Sequence, residues 1–391
     1  MPIRIVHRRF SNDVAIANAS ELAAAIADAT PGQRLLLASG NYGEFPVPPA
    51  YTGEVIVQSA DPANRAVVSG FNMGPTNLTL RDIDFVFDYV DEGDDANPFD
   101  LDYATNVWFD NCLFQGDLAS GTGTSLDGYP VCRGLYVAYS TGVRVTNCLS
   151  HTWKRGIFFS RSDNCEVRGS EFYGVREDTI NIANVRGLLI EENHFHDSAD
   201  NGPNAGHRDV IQIFSSAASP YPTQDVTIRR NLIDVGTGKY SQSIFMRNEA
   251  VDVHGLGSDW NYLNFLIEEN VIINNHTQGI FMGHVDGAII RNNSLHYRPD
   301  GTAMPLDPAS SGTPRIVLET ESSSIQVTGN LTPAIVNIPP VPAGWTESGN
   351  VLTPVENYAT IFTAESLADY SFVEITASGA GAPRSVYDLA A

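Results

Sequence analysis

Apolar and polar positions alternate along most of the chain in one self-similar block. Its copies read "LTLRDIDF" (78–85), "VWFDNCLF" (107–114), "VRVTNCLS" (143–150), "CEVRGSEF" (165–172), "LLIEENHF" (188–195), "VTIRRNLI" (226–233), "FLIEENVI" (265–272), "AIIRNNSL" (288–295) and "IQVTGNLT" (325–332). The first and third positions are almost all apolar, and the sixth is often asparagine: Asn193, Asn231, Asn270, Asn293 and Asn330. Such period-two alternation marks strands with one buried face. A second alternating segment precedes most copies: "GLYVAYS" (134–140), "GIFFSRS" (156–162), "TINIANV" (179–185), "SIFMRNE" (243–249) and "GIFMGHV" (279–285). "IQIFSSA" (211–217) fits the same place.

Block starts lie 22 to 39 residues apart. Two or three short strands in a repeat near the lower value predict a parallel β-helix, a solenoid whose coils stack like on like. Stacked asparagines would then lie about 4.8 Å apart and bond amide to amide. A β-sandwich would instead need hairpin turn signals roughly every 8 to 12 residues. At the N-terminus, "SELAAAIADATPG" predicts a helix over about 20–30, with Ser20 as N-cap and Pro31-Gly32 as the stop. Leu22, Ile26 and Ala29 share one face and would cover the open end of the solenoid. The solenoid with this cap is expected over 1–333, and 334–391 as an irregular segment packing on or capping its far end.

Composition narrows the partners. The chain has 391 residues, 42% hydrophobic, with 33 glycines and a formal charge of −23. That sign argues against nucleic acid as the main partner. Lys154 and Lys239 are the only lysines, so arginine carries nearly all positive charge. Cys112, Cys132, Cys148 and Cys165 form no CxxC pair, and Cys112 and Cys148 share one repeat position, which suits small core residues. "MPIRIVHRRF" lacks a signal core and no run reaches transmembrane length, so no membrane insertion is expected. Export without a cleaved signal, a mature form, or carriage on a virion fits this, and an extracellular or virion-associated location is expected.

The opening "ASELAAAIADATPGQRLLLASGNY" resembles the cap and first coil of pectate-lyase-like right-handed β-helix proteins, nearest in style to polysaccharide lyases of the chondroitinase B and alginate lyase type. The resemblance implies an all-β, right-handed parallel β-helix acting on a polysaccharide, with a lysine and an arginine as base and acid, often beside calcium. The lysine-serine and arginine-histidine-glycine stretches of those lyases do not occur here.

Aligning the second segments on their apolar pairs stacks Arg133, Arg155, Asp178, Asp209, Gln242 and Gln278 in one column. Lys154, Glu177 and Arg208 fall one position earlier, and Arg176 and His207 two earlier. Tyr136, Phe158, Asn181, Gln212, Phe245 and Phe281 face outward between the pairs. The loops entering the central coils are short and those around them long, which predicts a cleft floored by Asp178 and Asp209.

Three chemistries fit. A uronate lyase would take Lys154 or His207 as base, with Arg133, Arg155, Arg176, Arg208 or a calcium ion on Glu177, Asp178 and Asp209 countering the substrate carboxylate. A glycoside hydrolase would pair Asp178 with Asp209. An Arg–Asp ladder would merely staple coils, leaving a glycan-binding or virion protein, a homotrimer in the tailspike case. Asn181, Gln212, Arg247 and His284 are candidate substrate contacts. No organic cofactor is expected. His194 and His196, two apart on a strand, form a possible metal pair, with a structural role the simpler alternative. "DEGDDANPFD" (91–100) reads as a solvated insertion, and Phe245 and Phe281 as covered by the C-terminal segment.

Overall fold

The structure is a computed structural model describing residues 12–89, 94–200, 202, 207–216, 218, 220–237, 239, 241–298, 312–319, 322–337, 341, 343–353, 370 and 379–390. Each block folds as two strands joined by a corner, and each preceding segment supplies a third. Among the described residues these build three parallel sheets of thirteen, twelve and ten strands. The coils wind as the right-handed parallel β-helix expected, the hand that parallel crossovers take.

A single residue in the left-handed region makes the corner inside each block. Asp82, Asn111, Asn147, Glu192, Arg230, Glu269 and Asn292 occupy it with φ between 54° and 57°, and Gly169 and Gly329 with φ of 58° and 64°. The next residue points inward, and there the asparagines form the expected ladder. Asn193 Nδ2 donates to Asn231 Oδ1 (3.0 Å), Asn231 to Asn270 (2.9 Å), Asn270 to Asn293 (2.9 Å), Asn293 to Asn330 (3.0 Å) and Asn330 to Asn350 (3.0 Å). Earlier coils extend the column with Ser170, Cys148 and Cys112: the Cys148 amide donates to Ser170 Oγ, and the Cys112 amide to Cys148 Sγ. All four cysteines are buried free thiols.

Inward residues stack in register, as in Ile157, Ile180, Ile211, Ile244 and Ile280. The helix spans Ala19–Asp28 and buries Leu22 and Ile26, while Ala29 is its half-buried C-cap. Its N-cap is Asn18 rather than Ser20: Asn18 Oδ1 accepts from the Glu21 amide, and Glu21 Oε2 accepts from the Ala17 amide. This reciprocal box sits two residues before the expected cap. At the far end the solenoid outlasts the visible repeat. Ile335–Asn337, Thr346–Ser348 and Val351–Leu352 add one strand to each sheet. Half of the expected C-terminal segment, 29 of its 58 residues, lies outside the described residues. No helix among them is long and apolar enough to cross a membrane.

Candidate functional site

The outer face of the ten-stranded sheet carries the candidate chemistry, in the register the apolar pairs imply. Arg133 pairs with Arg155 and Asp209 with Gln242. The Gly156 amide donates to the Asp178 carbonyl and the Thr179 amide to that of Asp209, so Asp178 lies on the coil between. The column is real, and its charges divide into two groups.

The first is an ion-pair network that closes over itself. Lys154 Nζ lies 2.7 Å from Asp94 and 3.0 Å from Asp95. Arg176 Nη2 donates to both Asp94 oxygens at 2.8 Å. Arg155 Nη2 meets Glu177 at 2.7 Å, and Nη1 meets Asp95 at 3.3 Å. Arg133 donates to Asn97 at 3.2 Å and reaches Asp95 at 3.5 Å. The acidic stretch is therefore not a solvated insertion in its described part; Asp94 and Asp95 fold back as counter-ions to the basic column. Lys154 is 6% exposed with two carboxylates on its ammonium, which removes it as a free base. Arg176 is 2% exposed and faces Asp94 instead of a groove. These pairs tie Asp94 and Asp95 to successive coils, partners that the aligned column did not supply.

The second group is Asp178, His207 and Asp209, whose ligand atoms lie within 4.8 Å of one another. Asp178 and Asp209 are 4% and 0% exposed. The His207 side chain is 53% exposed, with Nδ1 2.9 Å from Asp209 Oδ2. Asp178 Oδ1 accepts from the Asp209 amide at 3.1 Å, and its Oδ2 accepts from Asn181 Nδ2 at 3.0 Å. Burial pushes the Asp209 carboxyl up to about 7, against the lowering effect of its bond to His207. Burial also raises Asp178, while the Asp209 hydrogen bond raises His207. An imidazole aimed at solvent, with a buried carboxylate on Nδ1, is oriented to use Nε2 for proton transfer.

These residues do not fit the calcium set of Glu177, Asp178 and Asp209. The Glu177 carboxylate belongs to Arg155, and the donor that joins the two aspartates is an imidazole nitrogen. Calcium takes oxygen ligands, six to eight of them.

Asn181 projects outward yet is 2% exposed, donating to Gln212 Oε1 at 2.7 Å. It positions neighbours more than it meets solvent. Arg208 is buried with Nη1 on the Ala199 carbonyl, and His284 is 7% exposed, so neither presents its ring or guanidinium to a groove. Arg247 is exposed but pairs with Asp252 at 2.7 Å. Phe245 and Phe281 stack at 4.8 Å in a buried patch with Val317 and Val336. Phe245 also lies 5.7 Å from the His207 ring.

The corner at the other edge of this sheet holds residues the sequence reading missed. Tyr103 and Tyr139 stack at 4.9 Å and 8°, 68% and 43% exposed, and the Arg161 guanidinium lies over Tyr139. All three take positive φ, 57°, 50° and 49°. The same left-handed conformation recurs at the corners of other coils, so it marks a turn of the solenoid.

The model of the right-handed β-helix region matches residues 92–213 and 133–331, together more than half of the chain. The chain belongs to the right-handed β-helix family. Among solved β-helices, an alginate lyase from Paenibacillus sp. str. FPU-7 is similar at 14% identity and a TM-score of 0.50, over 88% of this chain and 99% of that one. The Dettilon tailspike protein is similar at 14% identity and a TM-score of 0.50, over 85% of this chain and 61% of that one. No curated protein matches this β-helix in sequence.

Proposed function

We propose that this β-helix cleaves a uronate-containing polysaccharide by β-elimination, with His207 as the proton acceptor. The observation that carries the reading is the His207–Asp209 pair: a half-exposed imidazole backed by a fully buried carboxylate. With the Nδ1 proton on Asp209, the Nε2 lone pair faces outward and takes the proton from the carbon beside the uronate carboxylate. The electrons form the new C=C bond, the glycosidic C–O bond one carbon further breaks, and the imidazolium returns the proton to the leaving oxygen. Arg133 and Arg155 counter the uronate carboxylate by exchanging it for Asp95, whose side chain is 56% exposed and sits 3.5 and 3.3 Å from them. Tyr103, at the far end of the strands, about one strand's length or roughly 17–20 Å along them, offers sugar rings the exposed face of its stack with Tyr139.

The fold likeness to an alginate lyase supports a glycan substrate, and the likeness to a tailspike supports a virion setting equally. A hydrolase built on Asp178 and Asp209 is disfavoured because both carboxyls lie buried behind His207. The test is a panel of alginate, pectate, glycosaminoglycans and bacterial exopolysaccharides, read by ultraviolet absorbance of unsaturated ends. Activity on one of them that survives His207→Ala would remove His207 from the chemistry.

A further inference from the structure

A second cluster lies on a different sheet. His194–His196 is a strand of the twelve-stranded sheet. Phe195 turns inward and stacks on Phe172 at 5.1 Å, so both imidazoles face outward, with ring centroids 4.3 Å apart. Glu171, one coil earlier, stands in register with His194. Ligand atoms of Glu171, His194 and His196 lie within 4.8 Å of one another.

Two contacts of His196 conflict in a neutral ring. Its Nδ1 lies 2.8 Å from Asp197 Oδ2 and its Nε2 lies 3.0 Å from Glu171 Oε1. A neutral imidazole has one N–H, so if Asp197 accepts it, a lone pair on Nε2 opposes a carboxylate oxygen. A proton on Nε2 would relieve that contact. It would leave His194 unexplained, because among the described residues nothing hydrogen-bonds the buried His194 Nε2. One cation shared by the three side chains satisfies all of them.

We propose that Glu171, His194 and His196 bind a divalent transition-metal ion, zinc or its analogue cobalt, with Asp197 fixing the His196 tautomer. Two imidazoles and one carboxylate suit these ions, and a carboxylate behind a ligating histidine is their usual support. The Asp178–His207–Asp209 cluster differs, because it offers a single imidazole and both of its carboxylates are buried. A metal at Glu171 would clamp two successive coils away from the candidate catalytic face.

The experiment is titration of tag-free, full-length protein with cobalt(II), followed by its visible absorption, and with zinc by calorimetry. The expected result is one saturable equivalent in the wild type and in His207→Ala. In His194→Ala and Glu171→Gln affinity falls at least tenfold, and in Asp197→Asn about 10- to 100-fold. Each variant should keep the wild-type circular dichroism spectrum. Zinc at about a hundred times its dissociation constant should raise the wild-type melting temperature and leave that of Glu171→Gln/His194→Ala unmoved. Absence of saturable binding up to millimolar zinc overturns the proposal. So does binding abolished by His207→Ala and retained by the Glu171 and His194 variants.

Discussion

Replacing Asn270 by alanine removes one link from the middle of the inner ladder, and the cost follows from its bonds. Asn270 is fully buried. Its Oδ1 accepts from the Asn231 amide at 3.1 Å and from Asn231 Nδ2 at 2.9 Å, and its Nδ2 donates to the Ile228 carbonyl and to Asn293 Oδ1, both at 2.9 Å. Asn231 Nδ2 retains the Ile190 and Arg229 carbonyls, and Asn293 Oδ1 retains the Asn270 amide. The Asn231 amide alone loses its acceptor outright, which costs about 1–3 kcal/mol, and the remaining lost bonds about 0.5–1.5 kcal/mol each. The total is about 2.5–7.5 kcal/mol. Asn350→Ala, at the partly exposed end of the ladder, lets water replace the lost groups and should cost under about 1.5 kcal/mol. Asn270→Ser should fall between them, because Ser170 already fills this position two coils before Asn231 and accepts from an amide. Urea midpoints followed by far-ultraviolet circular dichroism give the comparison. Equal midpoint shifts for Asn270→Ala and Asn350→Ala would refute the reasoning.

Four further outcomes are expected. Because the Asp209 hydrogen bond holds His207 above its ordinary value, turnover should rise with pH through a midpoint above about 6.5; Asp209→Asn removes that anion, so the rising limb should move to lower pH as well as fall in height. The same raised value means that His207 adds stability below about 6.5 and that this is lost as pH climbs through its folded value, which melting temperatures of wild type and His207→Ala against pH would show. Asp94→Ala strips a counter-ion from buried Arg176 and Lys154 and should cost about 2–4 kcal/mol in denaturant, less than a fully buried pair because Asp94 is a quarter exposed. Tyr103→Ala should weaken glycan binding about three- to tenfold in calorimetry with little change in melting temperature, since the ring is 68% exposed.

The solenoid was legible because stacking forces like side chains to recur, as the register Ile157, Ile180, Ile211 and Ile244 illustrates. The corner residue was not. Its left-handed conformation accepts Asp, Asn, Glu, Arg and Gly alike, so Asp82, Glu192 and Arg230 give no common letter. For the site, register placed Asp178 beside Asp209 but could not say which charges neutralise each other. The 60 residues separating Asp94 from Lys154 show why: that pairing crosses several coils and leaves no periodic trace. Tyr103 and Tyr139 escaped for the same reason as the corners, since they lie outside the apolar pairs used for alignment. Asn18 outcompeted Ser20 as the cap because Glu21, three residues on, could return its bond.

The most direct test of β-elimination is the ratio of unsaturated ends to new reducing ends on whichever uronate polymer the protein degrades. The account predicts one unsaturated end for every reducing end, and neither from His207→Ala. Reducing ends that accumulate without the absorbance of unsaturated uronate would contradict it.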